Sequence, residues 1–330
     1  MEFANSNLYL LIIGISTFFI SNVVTRKLTP IFKRIAYKYN LFDNPKFRGQ
    51  HSIPMVRLGG ISIYLGYLSS FLLLLFFKSF FDISIFDSKI FIFIFITSSL
   101  IFTLGLIDDL YQINPYIRLF FQFVIAIILF KNGLAIETID LTNLNGILKW
   151  EMNSFLSFLF TLVWLVGITN SINWIDGLDG LASGIGIISI TGLTIINLIN
   201  GNNLIAFLSL GMIGSCSGFL KYNSYPAKIF MGDSGSYLIG LFIAAISCVN
   251  ITNSQNPNNL IFIFLIILYP LLDMFIVILR RIIKLQSPFK PDSSHLHHIL
   301  RKNNISHSNS VNILYLLNIF LCIISLSKVL

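Results

Sequence analysis

Long apolar runs separated by short polar connectors repeat from one end of the 330-residue chain to the other. They fall at roughly 7–25, 59–81, 89–107, 116–131, 154–172, 179–200, 203–220, 235–250, 259–279 and 311–327, each near the roughly 20 helical residues that cross a hydrocarbon core. The pattern predicts an all-α integral membrane fold with about ten transmembrane helices. The first run has no basic segment before it and ends in basic residues rather than a small-residue cleavage site. It is therefore expected to be a retained anchor and not a cleaved signal.

Composition agrees with the pattern. Hydrophobic residues make up 55% of the chain and charged residues 11%, too little polar surface to solvate a globular domain of this size. Cys216, Cys248 and Cys322 all lie inside apolar runs, which argues against a disulfide framework or a four-ligand zinc site. No internal repeat or heptad array is evident, and the longest connectors, 26–58 and 280–310, are too short for a soluble domain. Residues 1–330 are expected to form a single multi-pass domain.

Charge sets the orientation. Between Arg26 and Leu58 stand eight basic residues against the single acid Asp43, so this connector is expected in the cytoplasm. Ten spans then bring 105–118, 172–179, 218–236 and 280–310 to the same side, with 17 of the 22 Lys and Arg. The net charge of +8 is thus a matter of topology and anionic headgroups. Nothing resembles a nucleic-acid reader. The expected location is the plasma membrane, with the chemistry facing the cytoplasm.

The chemistry-bearing residues collect on that side. Asp108 and Asp109 end the third run; two adjacent acids sit in water, share a proton or bind a cation. In the segment from Asn170 to Leu181, a three-residue spacing places Asn170, Asn173 and Asp176 on one helical stripe, while Gly177 and Gly180 allow a tight turn. A plain Asn- and Asp-capped turn needs one such residue, and this segment has four, counting Asp179. Asp233, in Met231-Gly-Asp-Ser-Gly235, is readable as an N-cap or as a carboxylate placed at a helix N-terminus to receive a metal-bound pyrophosphate.

His295, His297 and His298 crowd three imidazoles into four residues just after Asp292. With no Cys or further acid at suitable spacing, they suit donation to phosphate or pyrimidine oxygens better than zinc. Arg48, Arg57, Arg118, Lys228, Arg280 and Arg281 border the same zone, and arginine grips phosphate in a bidentate manner. Asp273, inside the ninth run, needs a partner; Arg280 or Arg281 is nearest in sequence.

In this order the motifs resemble the polyprenyl-phosphate N-acetylhexosamine-1-phosphate transferase family (glycosyltransferase family 4). The likeness runs from Asp43-Asn-Pro-Lys-Phe-Arg48-Gly-Gln-His51 and Leu58-Gly-Gly60 through the acid-bearing segments to the histidines. It implies Asp233 as the principal magnesium ligand, with manganese a second candidate ion, and Asn173 and Asp176 completing or orienting the shell. Asp108 and Asp109 would face the lipid phosphate, and the three histidines would hold the nucleotide end of the donor. The expected catalytic set is Asp108, Asp109, Asp176 and Asp179; the expected substrate-binding set is Asn170, His295, His297, His298, Arg48 and Arg57. His-Leu-His-His resembles the branch that uses the uridine diphosphate sugar of N-acetylglucosamine. Gln112, where the phospho-N-acetylmuramoyl-pentapeptide branch has Lys, points the same way. Ser293 departs from a commonly basic position, so one expected phosphate contact either falls to Lys290 or is missing.

The implied reaction joins polyprenyl phosphate to the sugar phosphate and releases uridine monophosphate. Its partners are a UDP-sugar donor, a polyprenyl phosphate acceptor and the bilayer, with a homodimer as a candidate assembly. Another UDP-2-acetamido sugar is the nearest alternative donor. A transporter is a more distant alternative, but transporters place their binding groups near the midplane.

Overall fold

In the computed structural model of the chain, residues 2–41, 55–81, 89–140, 149–252, 259–287 and 295–329 are described. The long helices are α1 (Glu2–Lys38), α2 (Gly59–Phe81), α3 (Lys89–Tyr111), α4 (Pro115–Lys131), α5 (Ser154–Trp174), α6 (Leu181–Ile199), α7 (Asn203–Asn223) and α8 (Gly232–Thr252). They are followed by α9 (Asn259–Ile266), α10 (Leu268–Ile283), the short α11 (Leu296–Lys302) and α12 (His307–Val329). A two-stranded antiparallel ribbon, β1 (Thr138–Asp140) with β2 (Lys149–Glu151), joins α4 to α5; three-residue strands are too short to register in a hydrophobic pattern.

The architecture is that of an all-α membrane protein. Among the described residues, eight helices are long and apolar enough to cross a bilayer, and α9 with α10 makes a ninth if the bent pair is one span. The remaining expected run is α4, whose 17 residues extend only about 25 Å at 1.5 Å per residue. Two expectations are corrected. The connector expected from Arg26 begins instead as helix, because α1 continues through Pro30 to Lys38. The run at 259–279 is not one straight helix but two, bent by 77°.

Pro270 explains the bend. It has no N–H for the carbonyl of Ile266 four residues back, and its ring crowds that carbonyl. The freed Ile266 carbonyl accepts the Ser189 hydroxyl at 3.2 Å, and Ser189 in turn accepts the Asn318 amide at 3.1 Å. Hydrocarbon offers no water to do this, so α6 and α12 supply the polar groups.

α8 is the hub. Its residues from Ser234 to Asn250 are all buried, and α2, α3, α5, α6 and α9 pack around it. Close approach of α3 depends on Gly105, where a Cβ would lie 2.5 Å from Ser234 Cα and 2.6 Å from the Asp233 carbonyl oxygen. On the opposite flank of the bundle, α1 is tied to α2 and α7 by buried polar contacts, Thr29 Oγ1 to Ser62 Oγ at 2.9 Å and Asn22 Nδ2 to the Gly214 carbonyl at 3.1 Å.

The Gly105 contact is testable. Gly105→Ala is expected to lower stability in detergent by about 1–3 kcal/mol, read as a drop in Tm. Gly167→Ala, at a site where a Cβ meets nothing within 4 Å, is expected to leave it unchanged.

Candidate active site

The first turn of a helix has amide N–H groups with no partner inside the helix. At α8 two of these are satisfied from α3: Asp109 Oδ1 accepts the Asp233 N–H at 2.7 Å and Oδ2 the Ser234 N–H at 3.0 Å. Gly232, at φ +75°, makes the approach feasible, since a Cβ there would stand 2.6 and 2.7 Å from the two Asp109 oxygens. On the other side of α8, Asn173 Nδ2 donates to Asp233 Oδ1 at 2.6 Å and to Ser236 Oγ at 2.8 Å. The ends of α3, α5 and α8 are thus knotted around Asp233. Residues 56–60 join them, with Phe230 N donating to the Val56 carbonyl and Gly59 and Gly60 N–H to the carbonyls of Phe230 and Met231.

A cavity of about 400 Å³ opens beside this knot, lined by Arg57, Asn173, Asp176, Asp179, Asp233 and His298 among others. Burial raises the Asp176 carboxyl to about 7, and the carboxylates of Asp233 and Asp109 push in the same direction against the opposing pull of Arg57. Three carboxylates, those of Asp176, Asp179 and Asp233, line the cavity alongside the guanidinium of Arg57. Asp179 is pinned: its Oδ2 accepts the Ala227 N–H at 2.9 Å, and its own N–H donates to His307 Nε2 at 3.0 Å.

Asp108 takes a different neighbour. Its Oδ2 pairs with Arg118 at 2.8 Å and its Oδ1 accepts the Ile113 N–H at 3.0 Å, while the Arg118 guanidinium lies 5.5 Å from the Tyr237 ring centre. Arg118 also lines a second cavity of about 250 Å³ with Gln122, Asn170, Trp174 and Met274. This continues through Val163, Gly167 and Met274 into an almost wholly apolar groove of about 620 Å³ between α5, α9 and α10.

The model of glycosyl transferase family 4 matches residues 91–251. A probable undecaprenyl-phosphate N-acetylglucosaminyl 1-phosphate transferase of Bacillus subtilis (strain 168) is 34% identical over 300 residues, covering 91% of this chain and 80% of the relative. The undecaprenyl-phosphate alpha-N-acetylglucosaminyl 1-phosphate transferase of Pasteurella multocida (strain Pm70) is 34% identical over 84% of this chain and 76% of its own. A decaprenyl-phosphate N-acetylglucosaminephosphotransferase of Mycolicibacterium smegmatis is 31% identical over 89% and 77%. The chain belongs to glycosyl transferase family 4.

In this family 4 chain the fold brings Asp109, Asn173, Asp176, Asp179, Asp233, Arg57 and His298 to one cavity or its immediate wall. It separates Asn170 from them: the Asn170 amide donates to Gln122 Oε1 at 2.7 Å and faces the second cavity, because α5 ends at Trp174 and the helical stripe stops short of Asp176. Arg48, His51, Lys290, Asp292 and Ser293 lie outside the described residues. His295 and His297 are buried behind His298, and a Cβ at Gly177 would collide with the His297 ring. Asp273 corrects the pairing suggested by nearness in sequence: its carboxylate takes His295, not a neighbouring arginine, at 2.7 Å, while Arg281 stacks over Trp174 at 4.8 Å.

Sequence reasoning overlooked Asn223 and Gln122. Asn223 lines the cavity, accepts the Gly180 N–H and donates to the Ile229 carbonyl, each at 3.1 Å. Gln122 is buried within α4. For Gln122 an amide inside an apolar run was the available signal, since such a group needs a partner in the bundle; Asn223 lies in a polar connector, where an amide carries no such signal.

Asp109→Asn replaces an acceptor of one amide N–H with a donor. It is expected to lower stability by about 1–2 kcal/mol, seen as a lower Tm in detergent. His297 is pushed down to about 3, chiefly by burial and then by His298 and His295. An unfolded histidine titrates near 6.5, so the stability associated with neutral His297 is complete above that pH and is lost as pH falls towards 3. Between about pH 6.5 and 4 the Tm is expected to fall more steeply for the wild type than for His297→Gln.

Proposed function

We propose that the protein transfers N-acetylglucosamine 1-phosphate from UDP-N-acetylglucosamine to undecaprenyl phosphate, releasing uridine monophosphate. The observation that carries this reading is a pair of cavities at the end of α5, where Asn173 lines one and Trp174 the other. One is lined by the carboxylates of Asp176, Asp179 and Asp233; the other is mainly apolar and includes Arg118, which is paired with Asp108. A prenyl tail stays in the bilayer and a nucleotide in water, so the reacting phosphorus belongs where such surfaces meet. The names of the relatives support the sugar and the lipid. The excess of Lys and Arg in the connectors at this end supports a cytoplasmic-facing site in the plasma membrane.

The donor set fits magnesium. Among the described residues no three His, Cys, Asp or Glu side chains form a ready-made cation cage, and magnesium asks for none, since it binds through one or two carboxylates, waters and substrate phosphates. Asp233 and Asp176 would hold the ion, with Asn173 fixing the Asp233 rotamer; manganese is the alternative. Bound there, the cation supplies the charge neutralisation that lets two anions approach.

The side chains do the rest. Arg57 and His298 grip the donor from the cavity wall, and Arg118, steadied by Asp108 and the face of Tyr237, receives the acceptor phosphate. An acceptor phosphate oxygen forms the new bond to the sugar-linked phosphorus, and the bond to the uridine monophosphate oxygen breaks with its electron pair. Asp109 keeps the α8 terminus in place while this happens. Attack is direct, because a phosphomonoester with a second pKa of about 6 is already largely ionised near neutrality.

Membranes holding the protein, given labelled UDP-N-acetylglucosamine, magnesium and undecaprenyl phosphate, are expected to yield the lipid-linked sugar diphosphate and uridine monophosphate; a donor panel checks the sugar. Chelation or Asp233→Ala is expected to abolish release in folded protein. Retained turnover in Asp233→Ala removes that residue from the cation site. Asp108→Asn is expected to lower kcat by roughly 10²-fold.

A further inference from the structure

Of the three imidazoles in the cluster, His298 alone lines the donor cavity. His295 lies behind it, 7% exposed, with its Nδ1 2.7 Å from Asp273 Oδ2. The second oxygen of the same carboxylate accepts the Leu296 N–H at 2.7 Å. His295 occupies the N-cap position of α11, yet its side chain makes no capping bond there. The cap is supplied by α10. Trp174, at the end of α5, meets the His295 ring edge-on with centroids 5.8 Å apart. Asp273 is 6% exposed, and a buried carboxylate is tolerated when both oxygens are hydrogen-bonded.

We infer that Asp273 and His295 form a positioning pair: they dock the first turn of α11 onto α10 so that His298 reaches the donor, and neither touches substrate. The inference rests on the donor reading given above. Its chemistry is that of an outer carboxylate fixing the tautomer and orientation of an imidazole. With Nδ1–H committed to Asp273, the ring is locked, and the backbone bond from Leu296 fixes the direction in which α11 leaves. His298 follows within that turn. The same helix α10 walls the apolar groove through Met274 and Phe275, so the residue that anchors the donor histidine sits on the helix that borders the expected acceptor path.

Asparagine discriminates between positioning and contact, because its side-chain amide places an N–H close to where imidazole Nδ1 stands. His295→Ala and Asp273→Asn are expected to raise the KM for UDP-N-acetylglucosamine roughly tenfold and to leave the KM for undecaprenyl phosphate unchanged. His295→Asn is expected to restore most of the donor affinity, whereas His298→Asn is not. The double variant Asp273→Asn/His298→Ala is expected to be no worse than His298→Ala alone. Equal losses in His295→Asn and His295→Ala, or losses that multiply in the double variant, overturn the inference. A donor KM unchanged in His298→Ala overturns the donor assignment instead. Should Asp273→Asn fail to fold in detergent, the two His295 variants decide the matter.

Discussion

The N-terminus of α8 is the point on which the rest of the site depends. It is buried, its amide N–H groups need acceptors, and the acceptor the fold supplies is the Asp109 carboxylate from α3. That contact sets Asp233 beside α3, and Asn173 reaches it from α5 through hydrogen bonds of its own. It also creates an electrostatic problem. Two like charges about 4 Å apart at an effective dielectric near 20 repel by about 4 kcal/mol, while a helix terminus returns at most about 2 kcal/mol. A helix end by itself therefore offsets only part of the repulsion that carboxylates at such a separation feel. The remainder is the physical reason for proposing a divalent cation; at Asp176 burial comes first and the neighbouring carboxylates add to it, raising the carboxyl to about 7.

Around this centre the substrates are kept apart by solubility. The acid-lined cavity and the apolar groove adjoin the same stretch of α5, whose Asn173 faces the first and whose Asn170, Gly167 and Val163 face the second. A polar stripe on one helix thus serves two compartments. The bend between α9 and α10 shapes the groove, and it is stable in hydrocarbon because Ser189 takes over the Ile266 carbonyl that Pro270 leaves without its N–H. The polar groups at the break come from α6 and α12.

The histidine cluster divides its labour by burial. His298 faces the cavity; His297 packs on Gly177 and is neutral over the physiological range; His295 is held by Asp273. Three imidazoles in four residues look equivalent in one dimension. In three they sit in different surroundings, since consecutive positions on a helical turn point about 100° apart.

Much of this protein was fixed by its sequence alone. Hydrophobic runs of bilayer length made the fold a helical bundle, because backbone polar groups in hydrocarbon must be satisfied within the helix. The basic connectors set the expected orientation, and acids at the ends of apolar runs marked the end where the candidate site lies. The order of the motifs along the chain by itself points to the family. Only the tertiary structure decided which of those polar groups meet. Asn170 went to Gln122, Asp108 to Arg118, Asp109 to the backbone of α8, and Asp273 to a histidine 22 residues away. Spacing along a chain reports neighbours on one helix, whereas a buried charge takes the partner that packing between helices brings within about 3 Å, and that partner is almost never adjacent in sequence.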